Sequence, residues 1–94
     1  MVTHIVMWKF KTGEEENMHQ FLDGLQSLSG VIPQIRNMEV HVSCNENNAY
    51  DAVLISRFDS LDDLEIYKND PRHVAVAQLC KAIREDRAAI DFET

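Results

Sequence analysis

Tyr67 and His73 stand six residues apart, on either side of Asn69-Asp70-Pro71. A phenol that keeps its proton and an imidazole that can take one form an acid/base pair, the least equipment needed to move a proton beside a carbonyl group. Asp70 is a favoured helix N-cap, and Pro71 suits the first helical position because its fixed φ is helical and its missing N–H would be unpaired there anyway. His73 then falls at the third helical position, where the helix dipole and the free backbone N–H groups disfavour an imidazolium. A neutral ring able to accept a proton near pH 7 is expected. A tyrosine closing one helix and a histidine opening the next also serve as ordinary packing, so a structural clasp at the junction stands beside the chemical reading.

No other segment carries comparable chemistry. The chain has no Gly-rich phosphate loop, no G-x-S-x-G elbow and no repeat, and its only glycines are Gly13, Gly24 and Gly30. Cys44 and Cys80 stand alone, with neither a C-x-x-C pair nor histidines at metal-ligand spacing, and read as two small buried hydrophobes in a reducing compartment. No metal is expected. Sixteen acidic against nine basic residues leave a net charge of −7, and no Lys/Arg stripe is present to meet phosphates, so nucleic acid and anionic membrane surfaces are excluded as partners. The apolar stretch Met1 to Trp8 lacks a basic leader and reaches Lys9 and Lys11 too soon for a signal peptide or a membrane span. A cytoplasmic protein is expected. Ninety-four residues make one domain over 1–94, burying about two-thirds of the unfolded surface, a modest core that association would reinforce.

The elements that must position Tyr67 and His73 follow from periodicity. Val2 to Lys11 has apolar residues on both alternating faces, with Val2, Val6, Trp8 and Phe10 on one and Ile5 and Met7 on the other, and reads as a strand covered on both sides. Thr12-Gly13-Glu14-Glu15 matches a capping box for a helix over 14–29, whose apolar stripe is Met18, Phe21, Leu22, Leu25 and Leu28. Ile35 to Cys44 alternates Met38, Val40 and Val42 against Asn37, Glu39 and Ser43, a strand with one wet face as at a sheet edge. A hairpin turn at 45–48 leads to a strand over 50–58 that is apolar on both faces. Ser60 with Asp63 caps a short helix containing Leu61, Leu64 and Tyr67. Asp70 starts another, with Val76, Ala77, Leu79, Cys80 and Ile83 on its apolar side. Residues 87–93 form a last strand.

The order is β-α-β-β-α-β, and two right-handed crossovers place the first and third strands at the centre of a four-stranded antiparallel sheet, giving an α+β fold. Helices cover one face of such a sheet. Two central strands with apolar residues on both faces need a second cover, and a second copy stacked sheet to sheet supplies it, with a cavity between sheet and helices.

In this setting the chain resembles the stress-responsive A/B barrel (Dabb) family over nearly its whole length. The likeness rests on Thr3-His4-Ile5-Val6-Met7-Trp8-Lys9-Phe10-Lys11 in the first strand, Ile32-Pro33 before the second, and Tyr67 through Asp70-Pro71-Arg72-His73 at the helix start. The resemblance implies a homodimeric α+β barrel of ferredoxin-like subunits, in a fold whose small enzymes use no bound organic cofactor. Likeness to the family's plant olivetolic acid cyclase implies catalytic roles for Tyr67 and His73 and a pocket role for His4. It also marks a departure, since Ala52 stands where that cyclase carries a further histidine, which reduces the polar lining.

Trp8 and Phe10 on the first strand, with Ala52 and Leu54 on the third, complete the expected lining of an apolar pocket for a small apolar or aromatic ligand. His4 either orients a ligand carbonyl or is a half-buried residue satisfied by backbone. His19 and His41 fall on polar faces, and the acidic runs Glu14-Glu15-Glu16 and Asp62-Asp63 suit the first turns of helices. Two functions stay open. In one, His73 abstracts a proton beside a carbonyl while Tyr67 donates to the developing enolate oxygen, as in a cofactor-independent lyase, cyclase or isomerase. In the other, the domain is a non-catalytic dimeric module that binds a ligand or a protein.

Overall fold

The computed structural model describes residues 1–94. The chain runs β1 (Val2–Phe10), α1 (Glu15–Gln26), β2 (Asn37–Val42), β3 (Ala52–Phe58), α2 (Leu61–Asn69), α3 (Pro71–Ile83) and β4 (Arg84–Glu93). The four strands make one antiparallel sheet in the order β2-β3-β1-β4, with β1 and β3 central as the ferredoxin-like pattern requires.

One face of the sheet carries the core. Val2, Val6, Trp8 and Phe10 of β1 and Ala52, Leu54 and Phe58 of β3 are all buried, and Met18, Phe21, Leu22 and Leu25 of α1 close over them. Trp8 meets Phe21 edge-on, their ring centroids 5.1 Å apart, a favoured aromatic geometry. Helices α1 and α3 cross where Gly24 removes a side chain, since a Cβ there would lie 3.2 Å from a methyl of Val76. The opposite face, with Ile5, Val53 and Ile55 half-buried, Met7 36% exposed and Ile90 59% exposed, is apolar and uncovered within one chain. The double-sided apolar pattern of the central strands is thus real, but α1 to α3 satisfy only half of it.

Several boundaries differ from expectation. Helix α1 begins at Glu15 with Glu14 at the N-cap and no side-chain cap, because Gly13 adopts φ +87° and turns the chain after Thr12 instead of letting it cap. It ends at Gln26, and turns carry the chain on to Gly30, whose φ is +83°. β2 and β3 stop short of the hairpin, leaving 43–51 as a loop held to β1 by the Phe10 N–H donating to the Asp51 carboxylate at 2.8 Å. Cys44 on this loop is exposed rather than buried, while Cys80 is buried as expected. Leu79 is 47% exposed and leaves the apolar side of α3 to Cys80 and Ile83. β4 starts at Arg84, directly after α3, with a bulge where Lys9 pairs with Asp86 but Phe10 pairs with Arg84. No helix is long and apolar enough to cross a membrane.

Candidate functional site

The junction of α2 and α3 has the expected local chemistry. The Ser60 hydroxyl caps α2 by accepting from the Asp63 N–H at 3.1 Å. Asp70 ends α2 in an extended conformation and starts α3, its carboxylate accepting from the Arg72 N–H at 2.8 Å with Pro71 in the first helical turn. The Arg72 guanidinium also grips this carboxylate and holds its pKa down to about 2. The cap stays charged across the usual pH range.

This turn brings Tyr67 and His73 into contact, with ring centroids 4.4 Å apart. Tyr67 is 1% exposed and also packs on Phe58 at 5.2 Å. Its hydroxyl meets no hydrogen-bond partner in the protein. Burial drives its pKa well above the ordinary phenol value, so the group keeps its proton near neutral pH and has a hydrogen to donate.

His73 is tied through Nδ1 to the Lys68 carbonyl oxygen at 3.0 Å. A carbonyl accepts, so Nδ1 carries the hydrogen and Nε2 keeps its lone pair. The pKa of the ring lies below its usual value, and the first cause is burial rather than the helix dipole. The expectation of a neutral imidazole holds, for a different physical reason.

His4 on β1 is 4% exposed and is held by a side chain, not by backbone: its Nδ1 lies 2.5 Å from Asp91 Oδ1, its partner in the β1–β4 register. Desolvation lowers the pKa of His4 more than Asp91 raises it. The neutral ring therefore donates from Nδ1 to Asp91 and offers an acceptor at Nε2. That atom suits a ligand hydroxyl better than the ligand carbonyl anticipated from sequence.

A cavity of about 80 Å³ is lined by His4, Tyr67, His73, Trp8, Leu54 and Phe21, and also by Lys81, Arg84 and Arg87, of which Lys81 and Arg87 are exposed and Arg84 half-buried, so the cations stand at its solvent side. Five of the seven expected residues, Tyr67, His73, His4, Trp8 and Leu54, thus line one space. Phe10 and Ala52 do not reach it. Phe10 lies farther along β1, against Trp8 and Phe21, and borders a separate groove beside Lys11 and Met18. Ala52 is the cross-strand partner of Trp8, where a methyl beside an indole cannot extend past it, and it lines a depression with Met7 and Val53 instead.

The residues that sequence reasoning missed are Asp91, Phe21, Lys81, Arg84 and Arg87. Asp91 was legible only as a charged residue in an otherwise apolar stretch of the last strand. Its meeting with His4 depends on the β1–β4 register, which no periodicity specifies. No three His, Cys, Asp or Glu side chains converge as metal ligands anywhere in the fold, and His4 and Asp91 pair only with each other.

Solved structures similar to this chain come from several organisms. A dimeric protein of unknown function and ferredoxin-like fold from Bacteroides fragilis is 32% identical, covering 99% of this chain and 95% of its own, with a TM-score of 0.93. A dimeric ferredoxin-like protein from Thermobifida fusca is 23% identical over 99% and 90% of the two chains, with a TM-score of 0.87. A hydroxynitrile lyase from Passiflora edulis is 15% identical over 97% and 90%, with a TM-score of 0.84, a likeness of fold alone. No curated protein matches the chain. The family model of the stress-responsive A/B barrel domain matches residues 2–94, and with helices on one face of a βαββαβ sheet and the junction motif in place, the chain belongs to that family.

Proposed function

We propose that the protein is a homodimer that acts without an organic cofactor on a small carbonyl compound, by proton abstraction. His73 Nε2 takes a proton from the carbon beside the carbonyl, the carbonyl oxygen becomes an enolate, and the Tyr67 hydroxyl donates to that oxygen. His4 Nε2 accepts from a hydroxyl of the ligand and so orients it. The observation that carries this reading is the Tyr67 hydroxyl, a buried group with no protein partner, on a residue that lines one cavity together with two neutral imidazoles. Buried polar groups are nearly always paired, so one without a protein partner is open to a ligand group or a water.

The test is solvent deuterium exchange at the α-carbon of a panel of simple ketones and aldehydes, followed by NMR. The reading expects exchange that falls by on the order of 10²-fold or more in His73→Ala. An unchanged rate removes His73 from the chemistry. Lyase, cyclase and isomerase reactions can each follow from that first proton transfer.

One observation favours the second reading, a non-catalytic dimeric module that binds a ligand or a protein. The His73 bond to the Lys68 carbonyl ties the start of α3 to the end of α2 and is itself a clasp. Under that reading no exchange of any ligand depends on His73. The homodimer is supported by the apolar outer sheet face and by relatives described as dimeric. Met7→Glu puts a charge in that face opposite Val53, and light scattering after size exclusion is expected to find a monomer. A persisting dimer overturns the sheet-to-sheet arrangement.

A further inference from the structure

Two arginines on one strand, three residues apart, should point to opposite faces of the sheet, because side chains alternate with period two. Arg84 and Arg87 do not. The bulge in β4 leaves Glu85 without a partner on β1, so that Arg87 pairs with Trp8 and Arg84 with Phe10, both residues of the helix-covered face. One extra residue has re-aimed a side chain, as bulges beside functional sites do. Lys81 on α3, two turns after His73, joins them at the mouth of the cavity.

These are three of the nine Lys and Arg residues in a chain of net charge −7. None of the three pairs with a carboxylate, while Arg36, Lys68 and Arg72 each do. Two acids of the same strand are held by other groups. Asp86 accepts from the Tyr50 hydroxyl at 3.3 Å, and Asp91 is taken by His4. The Arg87 charge is nonetheless felt inside, where it lowers the titrations of Tyr67, His4 and His73. Gathering cations that lack acid partners costs mutual repulsion, which an anionic ligand removes.

The cavity itself, at about 80 Å³, has room for a few non-hydrogen atoms. A ligand that places its carbonyl at Tyr67 must leave its remaining part at the mouth, among these cations. We propose that the substrate is a small carbonyl acid, whose carbonyl enters between Tyr67 and His73 and whose carboxylate is bound at the mouth by Arg87 and Arg84, with Lys81 contributing charge. Arginine suits this role because its planar fork matches a carboxylate. A single negative charge fits better than a phosphate dianion, which the acidic surface repels more strongly.

The assignment rests on the pocket reading above, but its test needs no turnover. Binding of three acid and amide pairs is measured by NMR titration at fixed ionic strength: 4-oxopentanoate, phenylacetate and benzoate, each against its amide. At least one acid is expected to bind about tenfold or more tightly than its amide, as for hydrogen bonds to a charged group. The preference is expected to shrink in Arg87→Gln and vanish in the Arg84→Gln, Arg87→Gln double variant, with acid binding weakened far more than amide binding. No acid preference in any pair overturns the inference, as does a preference that survives in the double variant. Equal competition by inorganic phosphate overturns the choice of a carboxylate. Acid preference without deuterium exchange refutes turnover and keeps the ligand class; exchange of neutral ketones without acid preference does the reverse.

Discussion

Replacing Tyr67 by Phe separates the role of its hydroxyl from that of its ring. The ring is buried against Phe58 at 5.2 Å and His73 at 4.4 Å, contacts that a phenylalanine keeps. Only the hydroxyl is lost, and in the protein it has no partner. A buried hydroxyl without a hydrogen bond costs about 1–3 kcal/mol on the scale of mutational data, so its removal is expected to stabilise the fold by about 1 kcal/mol. For a domain of this size that raises Tm by about 4–8 °C. An ordinary buried tyrosine behaves oppositely, losing a bond worth about 1 kcal/mol on the same substitution. Thermal and urea unfolding at fixed protein concentration, needed because dimerisation makes stability concentration-dependent, decide the sign. Meanwhile α-carbon exchange is expected to fall by on the order of 10²-fold, as when one oxyanion donor is removed. A Tyr67→Phe protein that is destabilised by about 1 kcal/mol or more refutes the reasoning, because the hydroxyl must then be bonded within the fold.

Three further outcomes are expected. His73→Ala removes the bond to the Lys68 carbonyl and should lower stability by about 1 kcal/mol in urea unfolding, whether or not the ring is catalytic. His4 and His73 both titrate below the ordinary value of 6.5 in the folded state, so the unfolded chain binds the extra protons first. Stability should therefore be full above about pH 6.5 and decline as the pH falls from there toward the lowered folded values, with a smaller decline in His73→Gln; unfolding midpoints that do not change between pH 7 and pH 5 contradict it. Gly24→Leu drives a side chain into Val76 at the crossing of α1 and α3 and should destabilise by about 1–3 kcal/mol in the same unfolding assay, whereas Gly24→Ala, meeting Val76 at 3.2 Å, should lie near neutral because improved helix propensity offsets the tight contact.

The local signals were legible in the chain. Asp70-Pro71 caps α3 as its residue types dictate, the period of two in β1 and β3 marks the helix-covered face, and Ser60 with Asp63 starts α2. Each depends on neighbours within one turn or one strand, where steric and hydrogen-bonding preferences act without knowledge of the rest. The end of one helix and the start of the next therefore carried Tyr67 and His73 together on sequence grounds alone. Gly13 escaped because a glycine at φ +87° competes with the capping box that its neighbours spell out.

What depends on distant segments could not be read this way. The meeting of His4 with Asp91, 87 residues later, follows from strand register. So does the exclusion of Ala52 and Phe10 from the cavity, since cross-strand partners decide which side chains fill which space. The bulge that turns Arg84 and Arg87 to one face has no signature in the alternation of residues, because it breaks that alternation. Composition and periodicity determined the fold and the candidate pair; tertiary structure alone decided which nitrogen of each histidine is free, which hydroxyl is unpaired and which charges surround them. Such properties belong to pairs of atoms that only the folded backbone brings within hydrogen-bond reach.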